Sequence, residues 1–423
     1  MLSEAIPKVL QELCGWPLLK YAIRCARAVN PDRLLVVVGF GREKVQAAFP
    51  DPSIEWVVQE EQLGTGHAAG CAAEALGDFP GDLLVLNGDL PHLRAKTVQG
   101  LVNTHRELKA EVTVLTCCKS DPTGFGRIIK DSSGRLINII EEKDAPEDVK
   151  KIKEVNAGAY VFKVAVLKEA VQAIKPDNVQ GEYYITDAVV VAAARGYKVA
   201  TFLLEDEREI EQVSDRADLA RSARRIYNEI AQEHMRRGVT IVSPDTTFIG
   251  QDVRIGPDTV IYPFCVIAPG VRIGKGCKVG PFTHLRSGTV LADGAEVGNF
   301  TEVKATFMGE KSKAKHLSYL GDGHIGPNVN IGAGTIFANY DGKKKERTFI
   351  EEGAFIGCGT ILIAPVSVGK GAVTGAGAVV TKNHDVPPGQ TVVGVPARPI
   401  KKEKNRDEES QKEKKKGKGK EVR

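Results

Sequence analysis

Ile249-Gly250-Gln251-Asp252-Val253-Arg254-Ile255-Gly256-Pro257-Asp258-Thr259-Val260-Ile261 opens a run with a beat of six. Ile249, Ile255, Ile261, Ile267, Ile273, Val279, Leu285, Leu291, Val297 and Val303 are ten aliphatic residues in unbroken phase. An α-helix repeats at about 3.6 residues and a strand at about two, so neither produces it. The next residue is usually small (Gly250, Gly256, Ala268, Gly274, Gly280, Ala292, Gly298), which suits a corner where a side chain would collide. Aliphatic-then-small at this spacing predicts a parallel β-helix, a stack of three-sided coils with the aliphatic positions turned inward. Short sandwich strands would instead space their turns irregularly, at about 8 to 12 residues.

The beat breaks twice: Val303 to Ile325 spans 22 residues and Phe337 to Ile350 spans 13. Between and after the breaks it resumes through Ile325, Ile331 and Phe337, then Ile356, Leu362, Val368, Thr374 and Val380. The surplus is expected to leave the coils as two loops, and loops on a rigid scaffold commonly carry function. The first contains Lys304 and Lys311-Ser312-Lys313-Ala314-Lys315-His316-Leu317-Ser318-Tyr319; the second contains Asn339-Tyr340-Asp341-Gly342-Lys343-Lys344-Lys345. Basic loops suit phosphorylated ligands.

Ahead of the β-helix, to about residue 205, β-rich runs alternate with helical stretches. Leu34-Leu35-Val36-Val37-Val38, Glu55-Trp56-Val57-Val58 and Leu83-Leu84-Val85-Leu86 read as strands, with helices near 17–29, 66–76 and 95–108. This is an α/β domain with a mainly parallel sheet. Residues 127–140 read as a hairpin turning at Asp131-Ser132-Ser133-Gly134, and 217–237 as a connecting helix ending at Gly238.

Composition bounds the function. A chain of 423 residues has room for two or three domains. No apolar run approaches the ~18 residues of a membrane span. The start, Met1-Leu2-Ser3-Glu4, lacks the basic and apolar regions of a signal peptide, so a cytoplasmic location without membrane insertion is expected. The eight cysteines have neither metal-ligand spacing nor disulfide-scaffold density, and reduced, mostly buried thiols follow. Cys265 and Cys277 lie twelve apart, on different faces of an eighteen-residue coil. The net charge of +4 comes from the end: residues 401–423 hold eleven Lys and Arg against six Asp and Glu, leaving the body near −1. That basic tail, reckoned from 397, has few apolar residues and reads as disordered, and no nucleic-acid footprint remains elsewhere.

In open parallel sheets ligands sit beyond the carboxyl ends of strands. Two motifs fall there. Gln59-Glu60-Glu61-Gln62-Leu63-Gly64-Thr65-Gly66-His67-Ala68 places glycines where backbone must approach a ligand and leads into a helix whose first N–H groups favour anions. Leu86-Asn87-Gly88-Asp89-Leu90-Pro91 puts a single carboxylate at a strand end, a place either for a turn cap or for Mg²⁺ with phosphates.

Further motifs follow in order: Pro7-Lys8-Val9-Leu10 at the start, then Asp121-Pro122-Thr123-Gly124-Phe125-Gly126-Arg127-Ile128, Glu141-Glu142-Lys143-Asp144, Asn156-Ala157-Gly158, Gln180-Gly181-Glu182-Tyr183-Tyr184-Ile185-Thr186-Asp187 and, in the β-helix, Lys315-His316-Leu317-Ser318-Tyr319-Leu320-Gly321-Asp322. From Met1 to about Pro396 the chain resembles the bifunctional GlmU family, N-acetylglucosamine-1-phosphate uridylyltransferase joined to glucosamine-1-phosphate N-acetyltransferase. The resemblance implies a nucleotidyltransferase domain with a Rossmann-like mixed sheet (1–212), a linker helix (213–238) and a left-handed parallel β-helix of hexapeptide repeats (239–396). It implies UTP and acetyl-CoA as co-substrates, Mg²⁺ as cofactor, glucosamine 1-phosphate as acetyl acceptor and a homotrimer. By resemblance Asp89 and Ser214 hold Mg²⁺, and Lys8 meets the phosphates. Gln59, Gln62, Gly64 and Thr65 hold uridine, beside Asn87 and Gly88, while Gly126, Glu141 and Asn156 line the sugar side. In the β-helix, His316 takes the proton of the attacking amine, a task that an imidazole of ordinary pKa near 6.5 performs at neutral pH. Arg286, Lys304, Tyr319, Asn330 and Asn339 hold the phosphosugar, with Ala333, Tyr340, Cys358 and Ala376 along acetyl-CoA.

The chain departs from the family in several places. The Gly-rich loop ending in Gly-Thr-Arg-Met is absent, and Met1 takes the place of its last residue, so the gene product is expected to begin upstream and the sheet to lack its first strand. Ser214 stands where the family has Asn, with Asp215 as a possible substitute ligand. Asn87 replaces a residue that is often aromatic, and Cys358 a serine. Gly394-Val395-Pro396-Ala397-Arg398 resembles the ending of simpler hexapeptide acyltransferases, without a downstream CoA-contacting Arg. Three functions remain open on these residues: the bifunctional enzyme, an acetyltransferase whose front domain is catalytically impaired, and a regulatory protein of the same two-domain plan.

Overall fold

The computed structural model describes residues 6–400 in two compact units that divide after Ile226. Met1 and the tail from Lys401 onward, on which two of the expectations fall, lie outside the described residues.

In the first unit β1 (Leu34–Val38) and β2 (Ile54–Val58) pair in parallel as a two-stranded sheet. The other sheet joins β3 (Asp82–Leu86), β4 (Val112–Cys118), β5 (Arg127–Lys130), β6 (Leu136–Ile140), β7 (Glu154–Lys163) and β8 (Val199–Leu204). β7 is its hub, antiparallel to β3, β4 and β5, while β4 and β8 run parallel. The sheet is therefore mixed, not mainly parallel. Alternation of strands and helices fixes the crossovers, but β7 is entered through the β5–β6 hairpin and runs against its neighbours. Asn156 and Gly158 inside it also read as turn formers. Its side chains point alternately to two cores. After α1 (Leu18–Arg27) and α2 (Arg42–Ala48), the helices that cover it follow: Tyr160 and Phe162 pack with α3 (Thr65–Ala75), α5 (Val164–Val171) and α6 (Ile185–Ala194), while Val155, Ala159 and Val161 pack with α4 (Ala95–Leu108).

α7 (Arg216–Arg236) spans the division between the units. Asp215 caps it: its Oδ1 accepts the Asp218 N–H at 2.7 Å, and Asp218 Oδ2 accepts the N–H groups of Ser214 and Asp215 at 2.9 and 3.1 Å. Gly238, at φ 88°, follows the helix end.

The second unit is a parallel β-helix of three sheets with ten, eight and seven strands. Up to Glu302 each coil pairs with the next at a step of eighteen, as in Phe248↔Val266↔His284↔Glu302. All ten beat residues are at most 8% exposed. Burial of each such side chain stabilises the fold by roughly 1.5–3 kcal/mol. Where a small residue follows, the corner demands it: a Cβ on Gly256 would sit 2.6 Å from the Lys275 backbone nitrogen.

The first break is not a loop. Met308, Ala314 and Leu320 fill the inward positions between Val303 and Ile325, all fully buried. The sides bearing Met308 and Ile325 are each one residue short, and the register steps by seventeen, as in Glu302↔Tyr319 and Lys313↔Asn330. Lys304, His316 and Tyr319 thus stand on strands. The second break is an excursion: Ile336 pairs with Ile361, a step of 25, and residues 339–347 leave the coil between them. All eight cysteines are unbridged thiols, five of them buried. Among the described residues no helix is long and apolar enough to cross a membrane.

Two candidate active sites

In the first unit Lys8 stands on a single 3₁₀ turn (Lys8–Leu10), its Nζ 2.6 Å from Asp89 Oδ2 just beyond β3. Lys8 is thus ion-paired with the carboxylate that follows β3. The Val213 N–H donates to the Asp89 carbonyl at 3.2 Å, which brings Ser214 alongside. Asp215 Oδ1 accepts the Asp218 N–H at the start of α7, in the same segment.

The loop before α3 is held by the segment before α6. Gly66 N–H donates to the Tyr183 carbonyl at 2.7 Å, Tyr183 N–H to the Leu63 carbonyl at 2.8 Å, and Ile185 N–H to Thr65 Oγ1 at 3.1 Å. Gly64 has φ 110°, and a Cβ there would lie 2.6 Å from the Tyr183 carbonyl, so only glycine fits. Gln59 Nε2 donates to the Gly64 carbonyl at 3.1 Å and meets His67 Nδ1 at 3.0 Å. Gln62 Nε2 donates to the Gln59 carbonyl at 3.2 Å.

The residues expected to line the sugar side converge. Asn156 N–H donates to the Gly126 carbonyl at 2.8 Å, and a Cβ on Gly126 would lie 3.1 Å from Glu141 Oε2. Burial pushes the Glu141 carboxyl up, against the hydrogen bond it accepts from Thr186 Oγ1 at 3.0 Å. Asn156 Nδ2 donates to Tyr160 Oη at 2.6 Å. Gly158, at φ 73°, leaves room for Asn87 Nδ2, which a Cβ would approach to 2.7 Å. Thr186, Tyr160 and Gly158 belong to this cluster beyond the residues singled out from sequence; Thr186 and Gly158 lie inside quoted motifs. Lys8, Thr65, Asn87 and Gly88 also share a cavity of about 610 Å³ with β1 and β3.

In the β-helix, Lys304, Tyr319 and Asn339 meet around Gly321-Asp322. Lys304 Nζ lies 3.2 Å from Asp322 Oδ2, which also accepts Asn339 Nδ2. A Cβ on Gly321 would lie 2.5 Å from Tyr319 Oη and 2.8 Å from Asn339 Nδ2. Arg286 Nη1 holds Glu302 Oε1 at 2.8 Å. Of the loop lysines it is Lys345 that reaches Lys304, and that contact pulls its pKa below the usual lysine range. His316 ends the strand Lys313–His316, exposed and in register with Asn299, without joining the Lys304 cluster. Asn330 pairs with Lys313 on the same sheet. Ala333, Cys358 and Ala376 share one corner: the Gly359 N–H donates to the Ala333 carbonyl at 2.7 Å and the Gly377 N–H to the Cys358 carbonyl at 2.8 Å, while a Cβ on Gly357 would lie 2.8 Å from the Ala376 nitrogen. Cys358 is exposed there. Tyr340 stands apart on the excursion, 60% exposed, its Oη donating to the Gly342 carbonyl at 2.6 Å.

The sequence is similar to known proteins along nearly the whole chain. The nucleotidyl transferase family matches residues 2–223, and the bacterial transferase hexapeptide family matches 246–277, 270–305 and 347–382. The bifunctional protein GlmU of Carboxydothermus hydrogenoformans is 41% identical, covering 91% of this chain and 93% of its own. That of Rubrobacter xylanophilus is 43% identical, covering 93% and 90%, and that of a Geobacillus species 40%, covering 95% and 94%. With a nucleotidyltransferase unit ahead of a left-handed parallel β-helix of hexapeptide repeats, the chain belongs to the bifunctional GlmU family of uridylyltransferase–acetyltransferases.

Proposed function

We propose that the chain makes UDP-N-acetylglucosamine in two steps. Residues 239–396 transfer the acetyl group of acetyl-CoA to the amine of glucosamine 1-phosphate. Residues 1–212 then join N-acetylglucosamine 1-phosphate to UTP, with pyrophosphate leaving. The observation that supports this most is the convergence of Lys304, Tyr319 and Asn339 beside the Arg286–Glu302 pair. Its cations and amides suit a sugar phosphate. The amine attacks the thioester carbonyl, its proton passes to His316, and coenzyme A departs as the carbon–sulfur bond breaks. Asn330 completes the sugar pocket, while Ala333, Tyr340, Cys358 and Ala376 border the coenzyme.

For uridylyl transfer the protein has mainly to position and neutralise. One carboxylate, one hydroxyl and the substrate phosphates are a donor set that suits Mg²⁺; Asp89 and Ser214 would hold it, and the ion would offset charge on the phosphates. Gln59, Gln62, Gly64 and Thr65 orient uridine, and Gly126, Glu141 and Asn156 orient the sugar. Assaying the two half-reactions separately tests the reading. Acetyl transfer without uridylyl transfer would leave an acetyltransferase with an impaired front domain. A chain that catalyses neither would be a regulatory protein. The location that fits this chemistry is the cytoplasm, where UTP and acetyl-CoA are available.

A further strand belongs between β1 and β3. Among the described residues β1 pairs only with β2 and β3 only with β7, and Leu34–Val38 faces Leu83–Leu86 across the 610 Å³ cavity. Unpaired strand edges lining an apolar slot are an unmet demand for backbone partners. A peptide of five Val and Ile residues followed by a glycine-rich turn is expected to raise the melting temperature. The same peptide with a central proline, which lacks the N–H and breaks the ladder, is not. Equal effects of the two peptides would remove the strand.

The acetyltransferase is a homotrimer in this reading. Phe264, Phe282 and Phe300 stack at 4.8 and 5.0 Å along one edge of the β-helix and are 52, 46 and 59% exposed, with Leu317 next on the ladder. All four sit at positive φ, a conformation that costs a non-glycine residue about 1 kcal/mol or more. A second copy covering this edge buries the ladder and borders His316, one residue from Leu317. Light scattering should give about three times the 45.6 kDa chain mass, and Phe282→Glu should lower it. A wild-type mass of one chain would leave the edge uncovered and the trimer without support.

A further inference from the structure

We propose that Asp322 is a positioning residue for acetyl transfer, its carboxylate aiming two phosphosugar ligands at once; the inference rests on the acetyltransferase reading above. Its Oδ2 accepts from both Lys304 Nζ, on the strand of the preceding coil, and Asn339 Nδ2, at the start of the excursion. Lys304 and Asp322 are 17% and 18% exposed, so the pair is shielded where it meets but open enough for a ligand.

The backbone under Asp322 is fixed before any ligand arrives. Its N–H donates to the Lys304 carbonyl at 2.9 Å, and its carbonyl accepts the Thr348 N–H at 3.3 Å. It sits at φ 54°, a conformation that aspartate tolerates better than bulkier residues. Gly321 beside it supplies the space that Tyr319 and Asn339 occupy.

A carboxylate only accepts. It therefore orders both partners. It pins the ammonium on its flexible four-carbon stem, and it takes the amide nitrogen of Asn339, so that Asn339 Oδ1 is turned away from Asp322 as an acceptor for a sugar hydroxyl. It also sets one negative charge against Lys304, which Lys345 contacts. Arg286, Lys304 and Lys345 against Glu302 and Asp322 leave a surplus of one positive charge, suited to a phosphate dianion. Without Asp322 nothing at this point offsets the repulsion between the two lysines, and the Asn339 amide loses the acceptor that sets its orientation.

The test is steady-state acetylation of glucosamine 1-phosphate and of unphosphorylated glucosamine by wild type, Asp322→Asn and Asp322→Gly. Both replacements accept left-handed backbone. The KM for glucosamine 1-phosphate should rise by about tenfold to a hundredfold, as expected for loss of a charge-assisted bond. The KM for acetyl-CoA should hold, and the preference for the phosphorylated sugar should fall. An unchanged KM overturns the proposal. So does an equal loss on both sugars, which would mark a structural residue, and so does failure of both variants to fold. Wild type that acetylates neither sugar would instead refute the acetyltransferase reading.

Discussion

Replacing His316 with alanine lowers kcat for N-acetylation of glucosamine 1-phosphate by about 10²–10⁴-fold, the usual worth of a general base, and leaves uridylyl transfer at its wild-type rate. The ring ends the strand Lys313–His316, whose backbone pairs with the preceding coil at Asn299↔His316. A rigid element thus presents it. Because His316 is exposed, its removal opens no cavity and should change stability by no more than about 0.5 kcal/mol. Loss of rate then reports chemistry and not unfolding. The KM for the sugar should move little, since Arg286, Lys304, Tyr319 and Asn339 form their cluster without the imidazole. The measurement is thiol release from acetyl-CoA under saturating sugar, beside pyrophosphate release from UTP and N-acetylglucosamine 1-phosphate. Acetyl transfer by the variant within a few-fold of wild type would assign the base to another group.

The β-helix was legible because its period is unlike any other: Ile249 through Val303 name the inward face one residue at a time, and all are buried. The breaks in the beat were legible only as breaks. A total that is not a multiple of six can be reached by shortening sides as well as by adding a loop, and the spacing from Val303 to Ile325 cannot tell Met308 and Ala314 filling short sides from a segment leaving the coil. The front unit shows the same limit. Strand β7 carries Asn156 and Gly158 in its middle, which read locally as a turn, yet φ 73° at Gly158 serves a close approach to Asn87 and Asn156 serves Gly126 and Tyr160. Motifs point to candidate residues, but not to the partners of those residues. Asp322 joins Lys304 from the preceding coil and Asn339 at the start of the excursion, a relation set by register. The part Asp215 Oδ1 plays at the start of α7, accepting the Asp218 N–H, is likewise a matter of three-dimensional placement.

Asp89→Asn lowers uridylyl transfer by about 10²–10³-fold, the scale of losing one electrostatic contact that counts in the transition state, while acetyl transfer is unaffected. The side chain stands alone in its role. Among the described residues no group of three His, Cys, Asp or Glu is gathered to hold a metal, and Ser214 adds a hydroxyl, a weaker donor than a carboxylate. Lys8 at 2.6 Å already neutralises Asp89. In the variant, Lys8 keeps its charge and its place before Val9, so phosphate attraction survives and the defect falls on the carboxylate's share alone. Two consequences separate this from a general weakening of the site. The concentration of Mg²⁺ giving half-maximal rate rises in Asp89→Asn but not in Lys8→Ala, whereas the KM for UTP rises in Lys8→Ala. Each is read by titrating Mg²⁺ and UTP against pyrophosphate release. If Asp89→Asn keeps the wild-type Mg²⁺ dependence, the ion is held elsewhere and Asp89 serves as the counter-charge of Lys8, fixing that ammonium at the end of β3.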